Sequence, residues 1–189
     1  MSDQGGKHVN EKLSDGPNER LLIVNADDLG ITQSTNRAIC ELFQKGAITS
    51  ASIMMPCESA REAADLCVRN GITDIGVHFT LTGNAYMPVY RERRLHSLTD
   101  ANGYFHQDTE LLEKNADTEE VWLELEAQLQ AVISSGIQPT HADSHAGSLF
   151  GLFAGRDFLE IALELCGKYG VPFNLPLKIV EEPSFSDSQ

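Results

Sequence analysis

The chain has little positive charge: 14 Lys plus Arg stand against 28 Asp plus Glu, for a formal net charge of -14 across 189 residues. Such a balance repels a phosphate backbone or an anionic lipid surface, which argues against nucleic acid and membrane as partners. Its four cysteines, Cys40, Cys57, Cys67 and Cys166, include no CxxC pair. Neither a zinc knuckle nor a disulfide framework is indicated, and buried free thiols in a reducing, cytoplasmic compartment are expected. No stretch approaches the roughly 20 apolar residues of a membrane span. The start, MSDQGGKHVNEKLSDGPNER, lacks the apolar core of a signal peptide and reads as a disordered tail over residues 1–20, matched by a polar tail at 181–189. The GxSxG elbow, the Walker-type phosphate loop and the dinucleotide glycine fingerprint are also missing.

What is present is an alternation of strand-like and helix-like segments, which predicts a single α/β domain over residues 21–180. LLIVNA (21–26) is a continuous apolar run, as in a strand covered on both faces. A helix over 32–45 follows, with Ala38, Ile39, Leu42 and Phe43 as its apolar face. Strands are predicted at 47–55, 74–82, 137–143 and 171–175, and further helices at 58–70, from Asp117 to Gly136, and at 157–169. Residues 83–116 show no clear period and read as a functional loop insertion. Repeated strand-helix-strand units require right-handed crossovers and a mostly parallel sheet, whose ligands sit at the carboxyl ends of the strands.

Those ends carry metal-type side chains. The first strand runs into Asp27 and Asp28, the third contains His78, and the fourth enters HADSH, with His141, Asp143 and His145. Period-two alternation puts these last three on one face, His145 nearest the mouth. Two adjacent carboxylates are costly unless a cation neutralises one, which leaves the other to act as a base. In that arrangement Asp28 ligates a divalent ion and Asp27 takes a proton. Plainer readings exist: Asp27-Asp28 as a turn and helix cap, His78 as a structural histidine, Asp143-Ser144 as a turn cap.

LLIVNADDLGIT, GAITSASIMM, IGVHFTLT and PTHADSHAG, in this order, resemble the YdjC-like carbohydrate deacetylases, which include chitooligosaccharide deacetylases. The resemblance implies an irregular (β/α) barrel of the polysaccharide-deacetylase type, an N-acetylated sugar substrate, and one divalent ion, Mg²⁺ or Zn²⁺. It implies Asp27 as catalytic base, Asp28, His78 and His145 as metal ligands, and His141 and Asp143 in support. Members of the family run on into further barrel strands and a late His-Pro segment that supplies a general acid, so an incomplete C-terminal side is expected here. Ala146-Gly147-Ser148 also stands where many members have further histidines. A rival reading is a non-catalytic sugar-binding or assembly protein whose open strand edges are covered by a partner, a homo-oligomer for example. A metal-dependent phosphoesterase would share the ligands but calls for more cationic groups.

Overall fold

The structure, a computed structural model, describes residues 20–83 and 85–177. The expected tails at 1–20 and 181–189 therefore lie outside the described residues, apart from Arg20. Four parallel strands, β1 (Asn25–Leu29), β2 (Ser50–Ile53), β3 (Ile75–Phe79) and β4 (Ala142–Ser144), pair in the order β1-β2-β3-β4. Five helices accompany them: α1 (Gln33–Gln44), α2 (Ala60–Asn70), α3 (Thr109–Asn115), α4 (Thr118–Ser134) and α5 (Leu159–Tyr169). Sequential order with right-handed crossovers places the crossover helices on one face, as in a segment of a (β/α) barrel rather than an open doubly wound sheet. Phe173 adds one parallel bridge to Ala142, where a fifth strand was expected at 171–175.

The sheet has one apolar and one polar face; β2 and β3 are buried along their length, whereas β1, where a strand covered on both faces was expected over 21–26, is only partly buried. Ala51, Ile53, Ile75, Val77, Phe79 and Ala142 alternate onto the helix side and form a core with Ile39, Cys67, Leu125, Leu129 and Val132. The opposite face carries Asn25, Asp27, Ser50, Ser52, Gly76, His78, His141 and Asp143, the set that alternation along paired strands leaves there. LLIV is not part of β1, since Leu21, Leu22 and Ile23 are exposed and the strand begins at Asn25.

The helix boundaries follow local chemistry. Thr32 accepts from Thr35 N and caps α1, Asp117 accepts from Glu119 N and Glu120 N and caps α4, and the chain leaves α2 and α5 at Gly71 and Gly170. Of the expected face of α1, Ile39 is buried and Phe43 packs on the core, whereas Ala38 and Leu42 are exposed and Asn36 and Cys40 are buried in their place. The Asn36 side chain turns inward because its carbonyl accepts Gly30 N at 2.8 Å while its amide donates to Ser59 O and Glu62. All four cysteines are free and buried. Among the described residues no helix is long and apolar enough to cross a membrane.

Candidate metal centre

The pairing of β1 with β2 slips between Ala26 and Leu29: Ala26 faces Ala51, and Leu29 faces Ile53. Asp27 and Asp28 together thus oppose Ser52 alone, which makes a β-bulge. Asp28 takes the left-handed conformation, φ 63°, which Asp tolerates better than most residues. In a regular strand neighbouring side chains point to opposite faces; the bulge cancels that alternation and turns both carboxylates toward the polar face. The paired acids are therefore within the strand, not beyond its end.

His78 is the hub. Its Nδ1 lies 2.6 Å from Asp143 Oδ1 and its Nε2 lies 3.4 Å from Asp28 Oδ1. Asp143 is itself held by Ser52 Oγ, which donates to Oδ2 at 2.9 Å. Burial opposes protonation of His78, but the hydrogen bonds to Asp143 and Asp28 outweigh it and hold the imidazole up at about 9. The hydrogen bond from His78 draws the Asp28 carboxyl below its usual range, against burial. Without a metal, an imidazolium proton thus balances the carboxylates.

His145 opens a short 3-10 turn, His145–Gly147, just after β4, and its ring sits T-shaped to His78 with centroids 5.4 Å apart. Burial, followed by the positive His78, lowers its pKa, so it is a neutral imidazole, and its buried Nδ1 has no hydrogen-bond partner. A buried ring nitrogen without a partner, beside a second imidazole, is free to take a metal ion.

Two ligand sets deserve comparison. Asp27, His78 and Asp143 offer ligand atoms within 4.8 Å of one another. In that set, however, an ion would have to displace the 2.6 Å His78–Asp143 hydrogen bond. The other set, Asp28, His78 Nε2 and His145 Nδ1, leaves that bond intact as the carboxylate-imidazole contact that orients a metal-binding histidine. The 3.4 Å between Asp28 Oδ1 and His78 Nε2 also suits two bonds of about 2.1 Å to one ion. One carboxylate and two imidazoles are donors of the chemistry a divalent ion takes, while Asp27, His78 and Asp143 are the three whose ligand atoms lie within 4.8 Å of one another.

Asp27 is exposed; its Oδ1 accepts from Asn25 Nδ2 at 2.6 Å. His141 does not join Asp143, contrary to the supporting role expected for it. Its ring lies flat against Gly76, where a Cβ would come within 2.5 Å of its Nε2, and it borders a cavity of about 620 Å³ at the amino ends of the strands with Asn25, Ser50, Asp74 and Phe173. His96 and His106 take no part in the cluster.

Buried carboxylates whose role in the loops the sequence did not show hold the connections of the carboxyl side. Glu124 accepts Val89 N and Tyr90 N, and Glu120 accepts His96 N, Ser97 N and Ser97 Oγ. Glu113, from α3, accepts Phe153 N, Ala154 N and Gly155 N. The available signal was the row Glu120, Glu124, Gln128 at four-residue spacing beside the apolar stripe of α4.

Comparison with known proteins agrees with this architecture. A family model described as YdjC-like protein matches residues 21–188. A carbohydrate deacetylase of Enterococcus faecalis is 33% identical over 168 residues, covering 88% of this chain and 62% of that protein. A carbohydrate deacetylase of Brevibacillus brevis is 36% identical over 155 residues (82% and 59%), and a chitooligosaccharide deacetylase of Yersinia enterocolitica 37% over 132 (67% and 49%). The crystal structure of a candidate cellobiose-phosphate cleavage protein from Enterococcus faecalis V583 superimposes with a TM-score of 0.72 at 33% identity, covering 83% of this chain and 59% of that one. The chain thus spans about 60% of the length of the first two of these relatives. With the bulged acid pair, the histidine hub and the sheet order all in place, the chain belongs to the YdjC-like protein family.

Proposed function

We propose that this chain carries the metal-dependent N-deacetylase centre of a cytoplasmic carbohydrate deacetylase acting on N-acetylated amino sugars or chitooligosaccharides. The observation that supports it most is the bulge that aims Asp27 and Asp28 at one face, with Asp28 against His78 Nε2 and the Nδ1 of His145 unpartnered. A divalent ion, Mg²⁺ or Zn²⁺, held by Asp28, His78 and His145 would supply a Lewis acid that acidifies a water and polarises the acetamide carbonyl. Asp143 keeps the His78 ring in register and fixes its Nδ1 proton, so that Nε2 is the ligating atom. Asp27 uses Oδ1 on Asn25 and presents the rest of an exposed carboxylate as the general base for the attacking water. Burial and the neighbouring positive His78 keep His145 neutral. The test is acetate release from chitobiose by the metal-loaded chain: Asp27→Asn is expected to bind the ion with unchanged affinity and to lose turnover. An Asp27→Asn chain of full activity would remove Asp27 from the mechanism.

A second reading is a sugar-binding or assembly protein whose sheet is completed by a partner, another copy of the chain for example. It is favoured by one observation: β1 pairs on one side only among the described residues, beside the exposed Leu21, Leu22 and Ile23. A solution mass of one chain at micromolar concentration would count against a second copy as that partner.

A further inference from the structure

Asp27 is exposed, and an exposed carboxylate turns freely unless something holds it. The hold comes from its own strand, where Asn25 Nδ2 donates to Asp27 Oδ1 at 2.6 Å. Residues two apart in a strand share a face, so the two side chains stand side by side. An ionised carboxylate only accepts, so the amide edge turned toward Asp27 is the NH2 group and the Asn25 carbonyl points the other way. There Ser50, its register partner on β2, donates from Oγ to Asn25 Oδ1 at 2.6 Å. Asn25 Nδ2 also donates to Ser52 Oγ at 3.2 Å. Held at both ends, the amide cannot flip without losing all three bonds.

Ser52 joins this amide to the other half of the site. It is fully buried, and its Oγ lies 2.9 Å from Asp143 Oδ2, 3.4 Å from His78 Nδ1 and 3.5 Å from Asp27 Oδ1. A hydroxyl has one proton, which the shortest contact commits to Asp143. The His78 Nδ1 proton goes to the other oxygen of that carboxylate, at 2.6 Å. Ser52 then has nothing to give Asp27, and Asn25 is the donor that fixes it. The hydrogen bonds run in one direction, from Ser50 through Asn25 and Ser52 to Asp143. We infer that Asn25, braced by Ser50 and Ser52, is the positioning residue of the general base. It engages Asp27 Oδ1 and leaves Oδ2 to take the proton of the attacking water, whose oxygen bonds the acetamide carbon as the carbonyl π pair moves to oxygen. The inference rests on the deacetylase reading.

The experiment compares wild type, Asn25→Ala, Ser50→Ala and the double variant, each loaded with divalent ion, by acetate release from chitobiose, metal titration calorimetry and thermal melts. Asn25→Ala is expected to lower kcat by about 10-fold, part of the roughly 100-fold or more that a general base supplies. Its KM and metal affinity should stay at wild-type values. Ser50→Ala, which loosens the amide from its far side, should lower kcat by about 3-fold, the weight of one neutral hydrogen bond. The double variant should be no slower than Asn25→Ala, because Ser50 acts through Asn25. Should Asn25→Ala show no melting transition, Ser50→Ala decides alone: a lower kcat at unchanged metal affinity supports the inference. Wild-type kcat in a folded Asn25→Ala chain or in Ser50→Ala overturns it and leaves the deacetylase reading standing, and so do additive losses in the double variant. Loss of metal affinity in parallel with kcat also overturns it, since the brace would then be supporting the ligands. A wild-type chain that binds the ion and releases no acetate overturns the deacetylase reading, and the inference falls with it.

Discussion

His141 and His145 stand four residues apart in one strand-and-turn segment, and they meet different chemistry. At the amino end of the sheet, His141 rests on Gly76 above a cavity edged by short polar side chains; Thr140 Oγ1 lies 3.0 Å from its Nδ1 and its Nε2 has no partner. At the carboxyl end, His145 leaves the strand in a turn and meets His78 and, through it, Asp28 and Asp143. Alternation puts both ends on the same face, but convergence at one of them comes from departures from regular strand geometry. The bulge adds a second carboxylate and the turn swings a second imidazole inward; the amino end has neither.

The largest effect that would break this comparison is on metal binding. Asp28→Ala and His145→Ala are expected to abolish it in titration calorimetry, whereas His141→Ala leaves it unchanged; a loss with His141→Ala would place the ion at the wrong end of the sheet. Next in size, Asp143→Asn removes the acceptor that orients His78 and should weaken metal binding about 10- to 100-fold. In the same variant the His78 titration, followed by NMR, should move down from about 9.

A smaller effect is on stability. His78 is raised from 6.5 to about 9 in the folded chain, so its contribution is full below pH 6.5 and is lost as pH rises through 9. Burial likewise raises Glu124 from 4.5 to about 7, a folded-state proton whose contribution disappears as pH rises through 7. The metal-free chain should therefore melt progressively lower from pH 5 to pH 9.5, and a saturating divalent ion, which takes the place of the His78 proton, should flatten the upper part of that curve. The smallest effect belongs to Gly76→Ala. Its Cβ pushes the His141 ring aside at a cost of about 1–3 kcal/mol in denaturant melts, with metal affinity untouched.

Much of this molecule was legible in its residues. The helices α1, α2, α4 and α5 announce themselves through caps, stripes and terminal glycines, and the parallel order follows from alternation. The cluster of Asp28, His78 and His145 was legible because a parallel sheet gathers strand ends. The slip of β1 was not: LLIV is as apolar as a buried strand, and only pairing with Ser50 and Ala51 sets the strand to begin at Asn25. The bulge is equally silent, since a left-handed Asp28 depends on Ser52 across the ladder rather than on its own neighbours. α3 was hidden in the irregular 83–116 segment because seven residues are too few to display a helical period. His141 was read as deeper on the strand than His145, and it is, but the distance that this puts between it and Asp143's partners was not legible: its ring rests on Gly76.

The three buried glutamates separate the position of the mouth from its sequence. Glu113, Glu120 and Glu124 grip the connections almost wholly by main-chain N–H groups, and every residue except proline offers one. The side chains at Val89, Tyr90, His96, Phe153 and Ala154 can therefore be exchanged while the loops stay moored. In engineering terms the mouth is a cassette: its contents can be rewritten for a new ligand as long as the helices keep their three carboxylates.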